Sequence, residues 1–120
     1  MGDLDDLARL VREFVDERDW SRFHNAKDLS AAIAIEAAEL QEAFLWRTRE
    51  EADAAMRDPS ARRRAEDEMA DVMIYLLSLS DRYGVDLATA VRRKVGENAG
   101  RYPSDLVRGK AIKYTEIPRK

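Results

Sequence analysis

Ile33-Ala34-Ile35-Glu36-Ala37-Ala38-Glu39-Leu40 and Glu68-Met69-Ala70-Asp71-Val72-Met73-Ile74-Tyr75-Leu76-Leu77 are the two stretches on which the reading of this chain turns. Each is rich in helix-forming apolar residues, and each carries two carboxylates three residues apart. Residues at that spacing share one face of a helix, so Glu36 pairs with Glu39 and Glu68 with Asp71. Tyr75 stands one turn further along the second face. No Lys or Arg occurs from Asp28 through Trp46, nor from Ala65 through Asp81. Carboxylates among apolar neighbours are costly unless something pairs with them. A divalent cation held between two packed helices is such a partner. Donors that are all carboxylate oxygen suit hard ions such as Mg²⁺ or Mn²⁺.

Around these stretches the composition favours an all-α protein. Of 120 residues, 45% are hydrophobic and 38% charged, with only 5 Gly and 3 Pro to interrupt helices. The length suits one domain. With no Cys there is no disulfide, thiolate metal site or Cys nucleophile. The start, Met1-Gly2-Asp3-Leu4-Asp5-Asp6, is acidic and lacks a signal-peptide pattern. No apolar run approaches the roughly 20 residues of a membrane span, so a cytoplasmic location is expected. The net charge of −3 hides an asymmetry. Residues 1–100 hold 15 basic and 22 acidic side chains, and residues 101–120 hold 6 basic and 2 acidic. An acidic body argues against a general nucleic-acid binder.

Periodicity places amphipathic helices at about 3–18 (Leu4, Leu7, Leu10, Val11, Phe14, Val15), 28–46, 60–83 and 87–98, with a short connecting helix at 49–57. Asp3 and Asp28 are the expected N-caps of the first two. Thr48 with Glu51 forms an expected capping box. Gly84 and Gly100 are expected stops. The segment between the first two long helices, Asp19 to Lys27, carries Trp20, Phe23 and the only His, His24. The expected architecture is a bundle of four main helices, small enough that a shared core in an oligomer is reasonable. A di-iron reading fails, because such bundles need Glu-x-x-His on two helices and His24 lies outside both acidic pairs.

The order of these motifs resembles the all-α nucleotide pyrophosphohydrolases of the MazG type, and within them the single-domain dCTP pyrophosphatase group. The matching residues are Phe14 to Phe23 with His24, then Glu36 to Glu42 with Phe44 and Trp46. They continue with Glu66 to Leu76, and with Lys94-Val95-Gly96-Glu97-Asn98 followed by Arg101-Tyr102-Pro103. The resemblance implies a MazG-like domain over 1–103; beyond it, Gly109, Pro118 and the excess of basic residues make 104–120 an expected irregular basic tail. It implies Mg²⁺-dependent hydrolysis, with Mn²⁺ a possible substitute, of a nucleoside triphosphate to the monophosphate and pyrophosphate. dCTP or a modified dCTP is the implied substrate, and clearance of unwanted nucleotides the implied purpose. Glu36, Glu39, Glu68 and Asp71 are implied as the catalytic and metal-holding residues. One of them, or a water they orient, supplies the nucleophile. Lys94 and Arg101 are implied on phosphate oxygens and Asn98 on the base or sugar. Tyr75 is implied under the deoxyribose, Trp20 and Trp46 flanking the base with His24 close by, and Tyr102 in the same substrate set. The implied assembly is a homotetramer, then a dimer. Two other functions also fit the acidic helices, and neither needs Trp20 or Trp46. One is a non-enzymatic oligomerisation module; the other is a Mg²⁺-dependent phosphohydrolase acting on a different phosphorylated compound.

Overall fold

In a computed structural model, residues 2–118 are described, and every regular element among them is helical. The chain forms two compact units, residues 1–84 and 85–120. The first contains α1 (Asp3–Glu17), α2 (Ala26–Glu42), the short α3 (Arg49–Ala55) and α4 (Pro59–Tyr83). The second contains α5 (Leu87–Arg101) and the one-turn α6 (Ser104–Val107), followed by a 3₁₀ turn at Tyr114–Glu116. Four long helices and one short connecting helix are thus present as expected. No described helix is long and apolar enough to cross a membrane.

Several helix ends differ from the sequence reading, each for a local reason. Gly2, not Asp3, is the N-cap of α1, and Asp3 becomes the first helical residue. The cap of α2 is Asn25 rather than Asp28. Its Oδ1 accepts the Asp28 backbone N–H at 2.9 Å, and its Nδ2 donates to Asp28 Oδ2 at 2.9 Å. Asp28 is therefore the third helical residue of a reciprocal cap. α2 ends at Glu42, not Trp46, because the chain tightens into i→i+3 turns through Ala43, Phe44 and Leu45. Asp58 caps α4 and Pro59 is its first residue, a position where the missing N–H costs nothing. Gly100 does not stop α5, which continues to Arg101. The Thr48–Glu51 capping box and the left-handed Gly84 at the end of α4 stand where the sequence placed them.

In the first unit, α4 is the helix that both α2 and α1 pack against. The start of α2 meets the end of α4, where the Ala26 N–H donates to Tyr83 Oη at 2.8 Å. Glu39 near the end of α2 meets Glu68 in the first half of α4, so the two helices run antiparallel. α1 is tied to α4 by a two-pronged bond from Arg12 to the Asp81 carboxylate, with Nε at 2.9 and 3.0 Å from its two oxygens. Val15, Leu29, Ala65 and Leu77 are among the buried apolar residues of this unit.

Candidate active site

The antiparallel register of α2 and α4 brings together the two acidic faces. One carboxylate oxygen each from Glu36, Glu39 and Glu68 lies within 4.8 Å of the others. Oε2 of Glu36 and Oε2 of Glu68 are buried and have no hydrogen-bond partner. Buried polar atoms are nearly always paired, so each orphan calls for a ligand. A divalent cation fits this donor set: it is all hard oxygen, it concentrates negative charge, and two of its atoms are unsatisfied. Asp71 is not one of the three converging groups, but its charge adds to the field on Glu36 and Glu68. Glu36 is pushed up to about 7, first by a carboxyl–carboxyl hydrogen bond with Glu39, then by burial, then by the charges of Glu39, Asp71 and Glu68. Glu68 is also raised, mainly by burial and then by Glu39. Arg64, one turn before Glu68, pulls the other way; it sits just outside the cation-free stretch.

Beside the carboxylates a cleft of about 240 Å³ opens within the same unit. Its walls include Trp20, His24, Glu36, Asp71, Tyr75 and Ser78. Trp20 reaches it through a turn that the sequence reading passed over. After α1 the chain turns back with Asp19 at φ 54°, in the left-handed region. The Trp20 N–H bonds the Val15 carbonyl, and the Asp19 N–H bonds the Asp16 carbonyl, both at 3.1 Å. These are the two bonds of a Schellman motif, here built on Asp instead of the usual Gly. The turn sets Trp20 edge-on to Phe14, with ring centroids 5.8 Å apart. Arg82 Nε then holds the His24 carbonyl at 3.1 Å, fixing the loop against α4.

Of the residues singled out from the sequence, the structure groups Glu36, Asp71, Trp20, His24 and Tyr75 around this cleft, with Glu39 and Glu68 clustered at Glu36. Trp46 is elsewhere. It is 91% exposed, on the turn after α2, at a left-handed φ of 66°. Lys94, Asn98, Arg101 and Tyr102 belong to the second unit. There Lys94 Nζ lies 3.7 Å from Glu97, and the Arg101 guanidinium sits 4.8 Å over the Tyr114 ring. Tyr102 meets Tyr114 edge to face, at a centroid distance of 6.0 Å. Ser78 is the residue that sequence reasoning missed. Its signal was available, because Asp71, Tyr75 and Ser78 follow one another at helical spacings of four and three.

An acidic helix–helix cluster thus stands beside a cleft with an aromatic wall. The chain belongs to the MazG-like family, whose sequence profile matches residues 31–117. It is 43% identical over 116 residues to dCTP pyrophosphatase 1 of Rattus norvegicus, covering 97% of this chain and 68% of that protein. Against dCTP pyrophosphatase 1 of Homo sapiens it is 43% identical over 115 residues, covering 96% of this chain and 68% of that protein. Among solved structures it superposes on a pyrophosphatase from Archaeoglobus fulgidus with a TM-score of 0.79 and 38% identity. That match covers 86% of this chain and 94% of the other.

Proposed function

We propose that this chain hydrolyses a nucleoside triphosphate, with dCTP or a modified dCTP as the first candidate, to the monophosphate and pyrophosphate. The observation that carries the reading is one continuous site in the first unit. Three converging carboxylates, two with orphaned buried oxygens, adjoin a cleft walled by Trp20, His24 and Tyr75. Glu36, Glu39 and Glu68, with Asp71 nearby, would hold the cation, Mg²⁺ in the first place and Mn²⁺ as substitute. When bound, that ion neutralises charge on the phosphates and lowers the pKa of water. The carboxylates orient the attacking water toward the α-phosphorus and take up its proton as the bond to the pyrophosphate breaks. Trp20 stacks on the base, Tyr75 supports the sugar, and His24 stands beside them. Trp46, exposed and away from this cleft, is proposed as a base contact on the family resemblance alone. Lys94 and Arg101 are proposed as phosphate contacts, and Asn98 and Tyr102 as further substrate contacts, on the family resemblance alone. Residues 1–103 carry this machinery, and the basic segment 104–120 lies outside it.

We further place the enzyme in the cytoplasm, clearing unwanted nucleotides, as a homotetramer. Support for assembly is a groove of about 500 Å³ between α1 and α4 with entirely apolar walls, including Leu7, Leu10, Met73 and Ile74. Leu10 is 62% exposed there, and a continuous apolar patch of this kind marks an interaction surface.

The test is a panel of canonical and 5-modified nucleoside triphosphates with Mg²⁺ and a pyrophosphate readout. Wild-type protein is expected to release pyrophosphate from at least one pyrimidine nucleotide, and Glu39→Gln and Asp71→Asn to abolish it. Unchanged release by both variants overturns the site assignment; no release from any nucleotide overturns the activity.

A further inference from the structure

Two serines of α4 are equally buried, and only one is satisfied. Ser80, 7% exposed, donates its hydroxyl to the Leu77 carbonyl at 2.9 Å. Ser78, also 7% exposed, has no partner for its Oγ. A serine inside a helix can ordinarily turn its hydroxyl back to a carbonyl one turn earlier. Ser78 does not, and a buried hydroxyl left unpaired is costly. It lines the same cleft as Glu36, Asp71, Trp20 and Tyr75.

Its position along α4 says which part of a ligand it meets. Glu68, Asp71, Tyr75 and Ser78 form one stripe of the helix. At 1.5 Å rise per residue, Ser78 stands about 10 Å along the axis from Asp71. On the hydrolase reading proposed above, on which this inference rests, the carboxylates fix the phosphate end. The other end of the nucleotide then lies among Phe14, Val15, Trp20 and Ile74, which are apolar or aromatic walls. His24 and Ser78 are polar side chains at that end, and stacking on Trp20 does not distinguish bases, since every base has a π-face.

We propose that Ser78 is a specificity-determining residue whose Oγ hydrogen-bonds the polar edge of the nucleobase. A hydroxyl both donates and accepts, so it can meet either the carbonyl or the amino group of a pyrimidine. The competing role is structural. A small cavity of about 50 Å³, lined by Ser78, His24, Arg12 and Asp81, adjoins the cleft, and a cavity of that size holds a water that could pair with the hydroxyl instead.

The experiment compares wild type with Ser78→Ala on dCTP, dUTP, dTTP and the 2-pyrimidinone deoxynucleoside triphosphate that lacks the exocyclic 4-substituent. The expected result is a fall in kcat/KM of roughly 3- to 10-fold for the preferred nucleotide, carried by KM. The preference over the 2-pyrimidinone nucleotide, which offers the hydroxyl no 4-substituent, should narrow by the same factor, with an unchanged unfolding midpoint. A uniform fall across all four nucleotides, or unchanged KM and selectivity, overturns the assignment and makes the hydroxyl structural. Should Ser78→Ala not fold, Ser78→Cys, close in shape with a much weaker donor, takes its place with the same expectations. Absence of pyrophosphate release by wild type from every nucleotide defeats the hydrolase reading itself; release with selectivity unaltered in the variant defeats only the role of Ser78.

Discussion

If Glu36, Glu39 and Glu68 hold a cation as proposed, protons must compete with it, and the competition has a sign and a size. Glu36 is pushed up to about 7, above the ordinary carboxylate range of an unfolded chain. In the cation-free protein the folded state therefore holds this proton more tightly than the unfolded state. The stability it contributes is full below the unfolded pKa and is lost as pH rises to about 7. A cation needs the ionised carboxylate, so below that point it must displace a proton, and above it none. One proton with a pKa of about 7 weakens apparent affinity about 11-fold at pH 6 and about 1.1-fold at pH 8. Mn²⁺ should thus bind about tenfold more weakly at pH 6 than at pH 8. Calorimetric titration in buffers of different ionisation enthalpy counts the proton directly. Close to one should be released at pH 6 and almost none at pH 8. Glu36→Gln should bind the ion more weakly and lose most of the pH dependence. An affinity that is flat from pH 6 to 8, or a tenfold dependence that survives in Glu36→Gln, refutes the link between this carboxyl and the cation.

Trp20→Ala removes the stacking wall of the cleft; at about 1–3 kcal/mol for a base on an aromatic ring, kcat/KM should fall roughly 5- to 150-fold, mainly through KM in steady-state assays. Asn25→Ala deletes the cap that receives the Asp28 N–H at 2.9 Å, and denaturant titration should show a loss of about 1 kcal/mol. Leu10→Lys places a charge in the exposed apolar groove of α1 and α4, and light scattering should show a smaller species than wild type at the same concentration.

How much of this was legible in the sequence depends on what kind of signal each feature leaves. The acidic pairs were readable because Glu36/Glu39 and Glu68/Asp71 sit at helical spacing in spans without cations, and a local pattern of that kind survives folding. The Thr48–Glu51 box and Gly84 were readable for the same reason: each is a short-range geometry written in a few residues. The end of α2 was not. Its apolar line runs on through Phe44, and nothing in residues 43–46 is a helix breaker, so the turn to a left-handed Trp46 leaves no compositional mark. Gly100 misled in the opposite direction, since glycine permits a stop without requiring one. The Schellman turn before Trp20 was hidden because Asp19, not Gly, takes the left-handed position. Asp tolerates that conformation better than most residues, but it is read first as a cap or a surface charge. Of the cluster, sequence alone could say that two faces should oppose each other. It could not say that Glu36, Glu39 and Glu68 converge while Asp71 stands toward the cleft. That depends on the register of α2 against α4, a property of packing.

The register explains why a single helix organises the site. α4 presents Glu68, Asp71, Tyr75 and Ser78 in order along one stripe, so charge, ring and hydroxyl are spaced by the helix rise rather than by a loop. On the proposed reading, the order from cation to sugar to base would be built into one rigid element, with α2 and the Trp20 turn supplying the opposite walls. Arg12–Asp81 and Arg82–His24 fix the neighbours of α4 from its far end, leaving the first half of α4 free to carry unpaired carboxylates. An extra residue between Asp71 and Tyr75 would rotate everything beyond it by about 100° and carry Tyr75 and Ser78 off the stripe. An extra residue in the turn at 43–48 would disturb only the approach to α3. On the proposed reading, insertions should therefore harm activity most within the seven-residue interval from Asp71 to Ser78 of α4.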